Sequence, residues 1–331
     1  MKKVLVTGAG GFIGSHVVEE LLKENVAVRV LLKPDESPVN LREFDIEIMR
    51  GDILDNESVS LAVKGTDTVF HLAAIYSIWM KDWSRIYEVN MQGTQNILWA
   101  AVKSNVERVV YTSSIAAIGI APGKQASNED TPFNQYTLGN HYILTKYLSQ
   151  QIARSFAKNG LDVVIVNPCF PFGTKDIVPT PTGQLIVDIL KGKNFFAFAG
   201  GINIVDVRDV ARGHVLAAKK GRTGELYILG NLNVTMKEFL RMVYKVAGFK
   251  ARPVIPTFIP VIKMSAYCFK WWSDHVSHAT PMSTPPEVKY ASQYLFFDTY
   301  KARNELGLTL SPTEESLRDS VRWFRENGYA K

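Results

Sequence analysis

The feature that most constrains this fold lies at the start of the chain. An apolar run, Lys3 to Thr7, breaks into Thr7-Gly8-Ala9-Gly10-Gly11-Phe12-Ile13-Gly14 and then into the helical pattern Ser15 to Lys23. Gly8, Gly11 and Gly14 thus recur at every third position between a strand and a helix. Glycine lets the backbone turn tightly and brings main-chain N–H groups close to an anion, while the helix N-terminus adds a partial positive charge. This context predicts a turn that holds a dinucleotide pyrophosphate, with Gly8, Gly11, Phe12, Ile13 and Gly14 as cofactor contacts.

Further β-branched runs at Val26 to Leu32, Ile46 to Met49, Thr68 to Leu72, Arg108 to Thr112 and Asp162 to Val166 alternate with helical stretches at Asn56 to Lys64, Trp83 to Ser104 and Asn140 to Lys158. Strands that are apolar throughout are strands covered on both faces. The expected fold class is α/β, a Rossmann doubly wound parallel sheet with a smaller C-terminal substrate-binding lobe. With 331 residues, 46% of them hydrophobic, the chain can bury a core for both. The βα rhythm breaks at Pro171, Pro179 and Pro181. Residues 1–170 are expected to form the NADP-binding domain, 202–232 to return to it, and 171–201 with 233–331 to form the substrate lobe. Thr235 is the expected N-cap of a helix Met236 to Ala247.

Composition narrows the function. Met1-Lys2-Lys3 leads straight into a strand and no uncharged apolar run of about 18 residues occurs, so the reading is cytoplasmic. Cys169 and Cys268 are too far apart for a disulfide framework, and no metal site is implied. The net charge of +6 is spread without a Lys/Arg block, so no nucleic-acid partner is expected; the excess either attracts an anionic cofactor or is simply solvated.

The chemistry concentrates in three residues. Tyr142-Ile-Leu-Thr-Lys146 places a phenol and an ammonium on one helical face, since residues four apart lie one above the other. Lys146 is expected to lower the Tyr142 pKa, because a nearby cation favours the phenolate. Ser114 follows the strand that ends at Thr112, so its hydroxyl projects from a strand's carboxyl end, where open parallel sheets bind ligands. Around them, Asp52 and Ile53 close the third strand, and Asp52 is placed to accept from the adenine amino group. Leu72, Ala73 and Ala74 offer small side chains to a flat cofactor. His71 reads as a packed histidine ahead of a catalyst. Gly93, inside a helix, implies a close approach near Asn90. The second strand ends on Leu32-Lys33, with Arg29 earlier and no carboxylate at the expected place. Two cations without that repulsion make NADP(H) the preferred cofactor, with NAD(H) the alternative.

Taken together, Thr7 to Gly14, Gly51-Asp52, His71 to Ala74, Asn90 to Thr94, Ser114, Tyr142 with Lys146, Asn167 to Gly173 and Asp206 to Asp209 resemble, in family order, the extended short-chain dehydrogenase/reductases, the NAD-dependent epimerase/dehydratase family. The resemblance implies Ser114, Tyr142 and Lys146 in catalysis with Asn90 in support. It also implies that Thr112, Tyr142, Lys146, Pro168, Cys169 and Phe170 border the cofactor, the last three at the nicotinamide. Pro179 to Gly183, Asn203 to Asp206 and Gly224 to Gly230 are most similar to hopanoid-associated sugar epimerases, themselves similar to dihydroflavonol 4-reductases. No Asp-Glu pair follows Thr112-Ser113, which argues against a sugar 4,6-dehydratase.

Three functions follow for comparison. One is an NADP(H)-dependent carbonyl reductase or alcohol dehydrogenase with Tyr142 as general acid/base. The second is a nucleotide-sugar epimerase that oxidises its substrate transiently; it needs cations for a diphosphate, and only Arg208 and Lys175 stand at suitable positions. The third is an idle member that senses cofactor or binds a partner. The substrate is a small carbonyl, alcohol or sugar. Relatives pair the helices equivalent to Trp83–Ser104 and Asn140–Lys158, so a homodimer is expected. The aromatic run Phe258 to Trp272 reads first as a core or lid helix, with a peripheral membrane contact as the sharper alternative.

Overall fold

In the computed structural model, all of residues 1–331 are described except 78, 194–195, 198–199, 251–254, 257–258, 280, 282 and 331; residues 196–197, 255–256 and 259–263 are described by backbone alone. The first half runs β1 (Lys3–Thr7), α1 (Phe12–Lys23), β2 (Ala27–Leu32), β3 (Glu47–Arg50), α2 (Asn56–Val63), β4 (Thr68–His71), α3 (Ser84–Tyr87), α4 (Gly93–Lys103), β5 (Arg108–Thr112) and α5 (His141–Lys158). It continues through β6 (Val163–Pro168), β7 (Phe170–Phe172), α6 (Pro181–Leu190), β8 (Phe196–Ala197), β9 (Gly201–Asp206), α7 (Val207–Lys220), β10 (Leu226–Leu229) and β11 (Leu232–Thr235). The remainder is α8 (Met236–Ala247), β12 (Ile255–Pro256), α9 (Ile259–Trp272), α10 (Pro285–Ala291), β13 (Tyr294–Leu295) and α11 (Thr313–Glu326).

Seven strands form one sheet in the order β10-β6-β5-β4-β1-β2-β3, every neighbouring pair parallel. Helices cover both faces. Val17 and Val18 of α1 join Val210 and Val215 of α7 in the core on one side. Val59 of α2, Ile97 of α4 and Ala153 of α5 close the other. Chain order reverses between β1 and β4, so the loops after these two strands diverge and leave a crevice at their carboxyl ends.

A second sheet, β11-β9-β13 with β7 beside β9, packs with α6, α8 and α11 around Phe172, Phe239 and Phe324. This placement corrects the expectation for the start of 202–232. Strand β9 lies in the second sheet, and only α7 and β10 rejoin the large one. A Val/Ile-rich run fits the interior of either sheet, so its composition does not choose. Thr235 caps α8 as expected and forms a capping box with Glu238. Among the described residues no helix is long and apolar enough to cross a membrane.

Candidate active site

A cavity of about 840 Å³ runs from the glycine turn, past Ser114 and Tyr142, into the second lobe. Helix α1 opens it: Gly11 is the N-cap, and no side chain satisfies the first-turn N–H groups. Gly8 has φ +69°, and a Cβ there would fall 2.8 Å from the Ala73 nitrogen, while one on Gly14 would fall 2.1 Å from the Gly8 oxygen. Only glycine fits this cradle, and its free donors suit a pyrophosphate. Phe12, Ile13, Asp52, Ile53 and Leu72 to Ala74 line the same end, and Thr112 with Pro168 to Phe170 lines the middle. Asp52 is partly engaged, accepting from the Leu54 nitrogen at 2.9 Å.

Ser114, Tyr142 and Lys146 converge at the carboxyl end of β5. Asn140 caps α5 through the Ile143 nitrogen, which sets the helix start so that Tyr142 faces the cavity. Burial pushes the Tyr142 phenol up to about 12, and the Ser114 hydroxyl within hydrogen-bonding reach partly offsets it. Burial lowers the Lys146 ammonium to about 8. The expected lowering of the phenol by Lys146 is not found. The ammonium is turned away, donating to the Thr112 carbonyl at 2.9 Å and lying over the Tyr111 ring.

Asn90 sits in a π-type turn, residues 88–92, that interrupts the helix expected over 83–104. Its amide takes the Ile75 nitrogen at 2.7 Å and donates to the Ile75 oxygen and to Thr145 Oγ1. It therefore ties the 75–77 wall to the turn of α5 that bears Tyr142. A Cβ on Gly93 would strike Ile53 Cδ1 at 2.5 Å, which is the close approach its place in a helix implied. His71 is buried between Thr7 Oγ1 and Thr94 Oγ1, at 2.8 and 3.1 Å, and burial lowers it to about 3, leaving a neutral ring that pins β1, β4 and α4.

Arg29 is a correction. Its guanidinium is buried beneath α2, donating to the Ala62 and Lys64 carbonyls at 2.8 and 2.7 Å and pairing with Glu47, so it caps a helix C-terminus and does not reach the cavity. Lys33 does line the cavity, beside Glu36. The Glu36 carboxylate accepts from the Lys33 nitrogen at 3.2 Å, and Arg50 donates to the carbonyls of Lys33 and Glu36 at 2.9 and 2.5 Å. The sequence reading missed Glu36 because it looked for a carboxylate at the strand end and not four residues beyond Leu32. It also missed Tyr76 and Tyr290, whose rings flank Tyr142. Tyr76 lies 4.4 Å from it, ring to ring, and Tyr290 packs in the same small cluster.

The model of the NAD dependent epimerase/dehydratase family matches residues 4–230, from β1 through β10. The chain belongs to this family. It is 37% identical to a putative dihydroflavonol 4-reductase of Synechocystis sp., over 98% of this chain and 95% of that protein. It is 32% identical to sterol demethylase protein B of Methylococcus capsulatus, over 98% of each. Among solved structures, that of gox2253 superposes with a TM-score of 0.88 at 35% identity, over the whole of both chains.

Proposed function

We propose that the protein is an NADP(H)-dependent reductase or dehydrogenase acting on an apolar carbonyl or secondary alcohol. One observation carries the reading: among the described residues that line the cavity, the only cations are Lys33 and Lys146, both at the cofactor end. The substrate end is walled by Ile75, Tyr76, Leu185, Met236, Tyr290 and Leu295, and its one carboxylate is Glu287. A nucleotide sugar would bring a diphosphate to a wall with no cation and one acid. The two cations available to an epimerase lie elsewhere: Arg208 pairs with Asp206 and Asp319, and Lys175 with Glu19. Likeness to a dihydroflavonol 4-reductase and to a sterol demethylase protein accords with an apolar substrate.

Nicotinamide, when bound, supplies or accepts the hydride. The chain does the rest. The Ser114 hydroxyl donates to the substrate oxygen, and Tyr142 gives its phenolic proton to that oxygen as the carbonyl carbon is reduced. With cofactor bound, Lys146 would hold the nicotinamide ribose; swung from the Thr112 carbonyl toward Tyr142, its ammonium would favour the phenolate that forms. Asn90 keeps the 75–77 wall in register with Tyr142. At the adenosine end Lys33 lines the cavity with Arg50 beside it, facing Glu36 and Asp52; the two cations next to the strand end are the groups that would pair with a 2′-phosphate. The same reading includes a homodimer through α4 and α5, where Trp99 and Val102 are exposed.

The test is NADPH oxidation, followed by nicotinamide absorbance, with a panel of apolar ketones and aldehydes and a panel of nucleotide sugars. Cofactor consumed in step with a carbonyl supports the reading. Interconverted nucleotide sugars with no net cofactor consumption overturn it in favour of an epimerase.

A further inference from the structure

Over its described side chains, helix α9 presents apolar residues to solvent. Met264, Tyr267, Trp271 and Trp272 are 70, 65, 58 and 56% exposed, and their spacing sets them in adjacent rows on one face, with Cys268 between them. The opposite face holds Ala266, fully buried, and Lys270, paired with Asp274. Over residues 264–272 the apolar face is thus the outward one. Residues 258–263 of the aromatic run lie outside the residues whose side chains are described.

The patch stands one helix away from the cavity wall. Helix α9 packs on α10, which carries Glu287 and Tyr290 of the cavity wall. The opposite wall is tied to the turn after α9, since Trp79 Nε1 donates to Asp274 Oδ1 at 3.1 Å and Ser77 Oγ donates to the Trp79 carbonyl at 2.7 Å. Two indoles, a phenol and a thioether on one exposed helix face match the chemistry of a bilayer interface, where such rings place an apolar body among acyl chains and a polar edge among headgroups. The chain's net charge of +6, spread over the molecule and not gathered at α9, draws it toward an anionic leaflet by long-range attraction.

We propose that the outward face of α9 docks on an anionic bilayer surface and that the substrate, a membrane-resident apolar carbonyl or alcohol, enters from that bilayer. The substrate half of this inference rests on the reductase reading above.

The experiment is co-sedimentation of the full chain with phosphatidylcholine–phosphatidylglycerol vesicles, for the wild type and for Trp271→Ser/Trp272→Ser. The wild type is expected to sediment. The double variant is expected to partition more than about tenfold less, since each indole buries on the order of 200 Å². It should still bind NADPH and turn over a water-soluble ketone like the wild type, because both residues are exposed and neither lines the cavity. A wild type that stays in the supernatant, or a double variant that sediments equally, overturns the inference. A change in oligomeric mass with the substitutions, by light scattering, assigns the patch to a second copy and also overturns it. Vesicle binding without carbonyl reduction by any variant sinks the reductase reading and leaves the docking surface standing.

Discussion

The Lys146 ammonium donates to the main-chain oxygen of Thr112 at 2.9 Å, so the strand end that supports Ser114 also anchors the cation that leaves α5 one turn after Tyr142. Its folded pKa of about 8 lies below the ordinary 10.5 because of burial. The unfolded chain therefore binds this proton more tightly, and the buried charge costs stability below about pH 8. That cost is relieved as pH rises from about 8 to 10.5. Lys146→Met is expected to abolish most turnover while raising unfolding free energy at neutral pH by on the order of 1–3 kcal/mol, a margin that closes in alkaline buffer. Urea titrations at neutral and alkaline pH check it; a variant less stable at neutral pH contradicts it.

Tyr142→Phe removes only the hydroxyl that gives up the proton. Turnover should fall by roughly a hundred- to ten-thousandfold, with NADPH affinity and melting temperature nearly unchanged. Stopped-flow rates of NADPH oxidation against the titrated Kd separate the two effects, and an unchanged rate would remove Tyr142 from the mechanism.

Cofactor choice is expected to rest on Lys33 and Glu36, not on Arg29. Lys33→Ala should weaken NADP(H) about tenfold and leave NAD(H) nearly alone, since a charge-assisted bond to the 2′-phosphate is worth on the order of 1.5 kcal/mol. Glu36→Gln should act in the opposite direction. Arg29→Glu should lower stability by about 3–5 kcal/mol, by facing a buried acid with Glu47 and two stripped carbonyls, without moving the NADP/NAD ratio of the folded fraction. Fluorescence titrations with both cofactors and urea denaturation decide these three together.

Trp99, on α4, is 55% exposed and lies edge-on to Phe156 of α5 at 4.9 Å. Trp99→Glu places a charge at the centre of the two-helix face and is expected to halve the mass measured by light scattering at micromolar concentration. A monomeric wild type would refute the pairing.

How far the sequence could be read depended on the range of each signal. The glycine turn, Tyr142 with Lys146, and Asn90 with Gly93 are set by short spacings along the chain, and the structure brings the glycines, Tyr142 and Lys146 to one cavity, with Asn90 and Gly93 packed behind its wall at Ile75 and Ile53. Arg29 misled because charge was weighed without geometry. It stands three residues before the end of β2, about 10 Å short at 3.3 Å per residue, and it points into the α2 side of the sheet. Tyr290, Met236 and Leu185 form the substrate wall from positions far apart in the chain, and nothing local to any of them marks it. The direction of the Lys146 ammonium was equally illegible, since helical spacing sets which face a side chain leaves from and not where its last four bonds turn.

Strand β10 has a bearing on synthesis that its place at the sheet edge makes plain. It pairs with β6 through Leu226 to Leu229 against Ile165 to Pro168, yet some sixty residues of chain separate the two, and much of that length belongs to the other sheet. During translation β6 therefore emerges with one bare edge of Val/Ile-rich backbone and must wait for its last neighbour while β7, α6 and β9 are made. An unpaired apolar edge is a template for wrong pairing. Nascent chains arrested between β6 and β10 should aggregate or recruit chaperones, and those long enough to expose β10 should not.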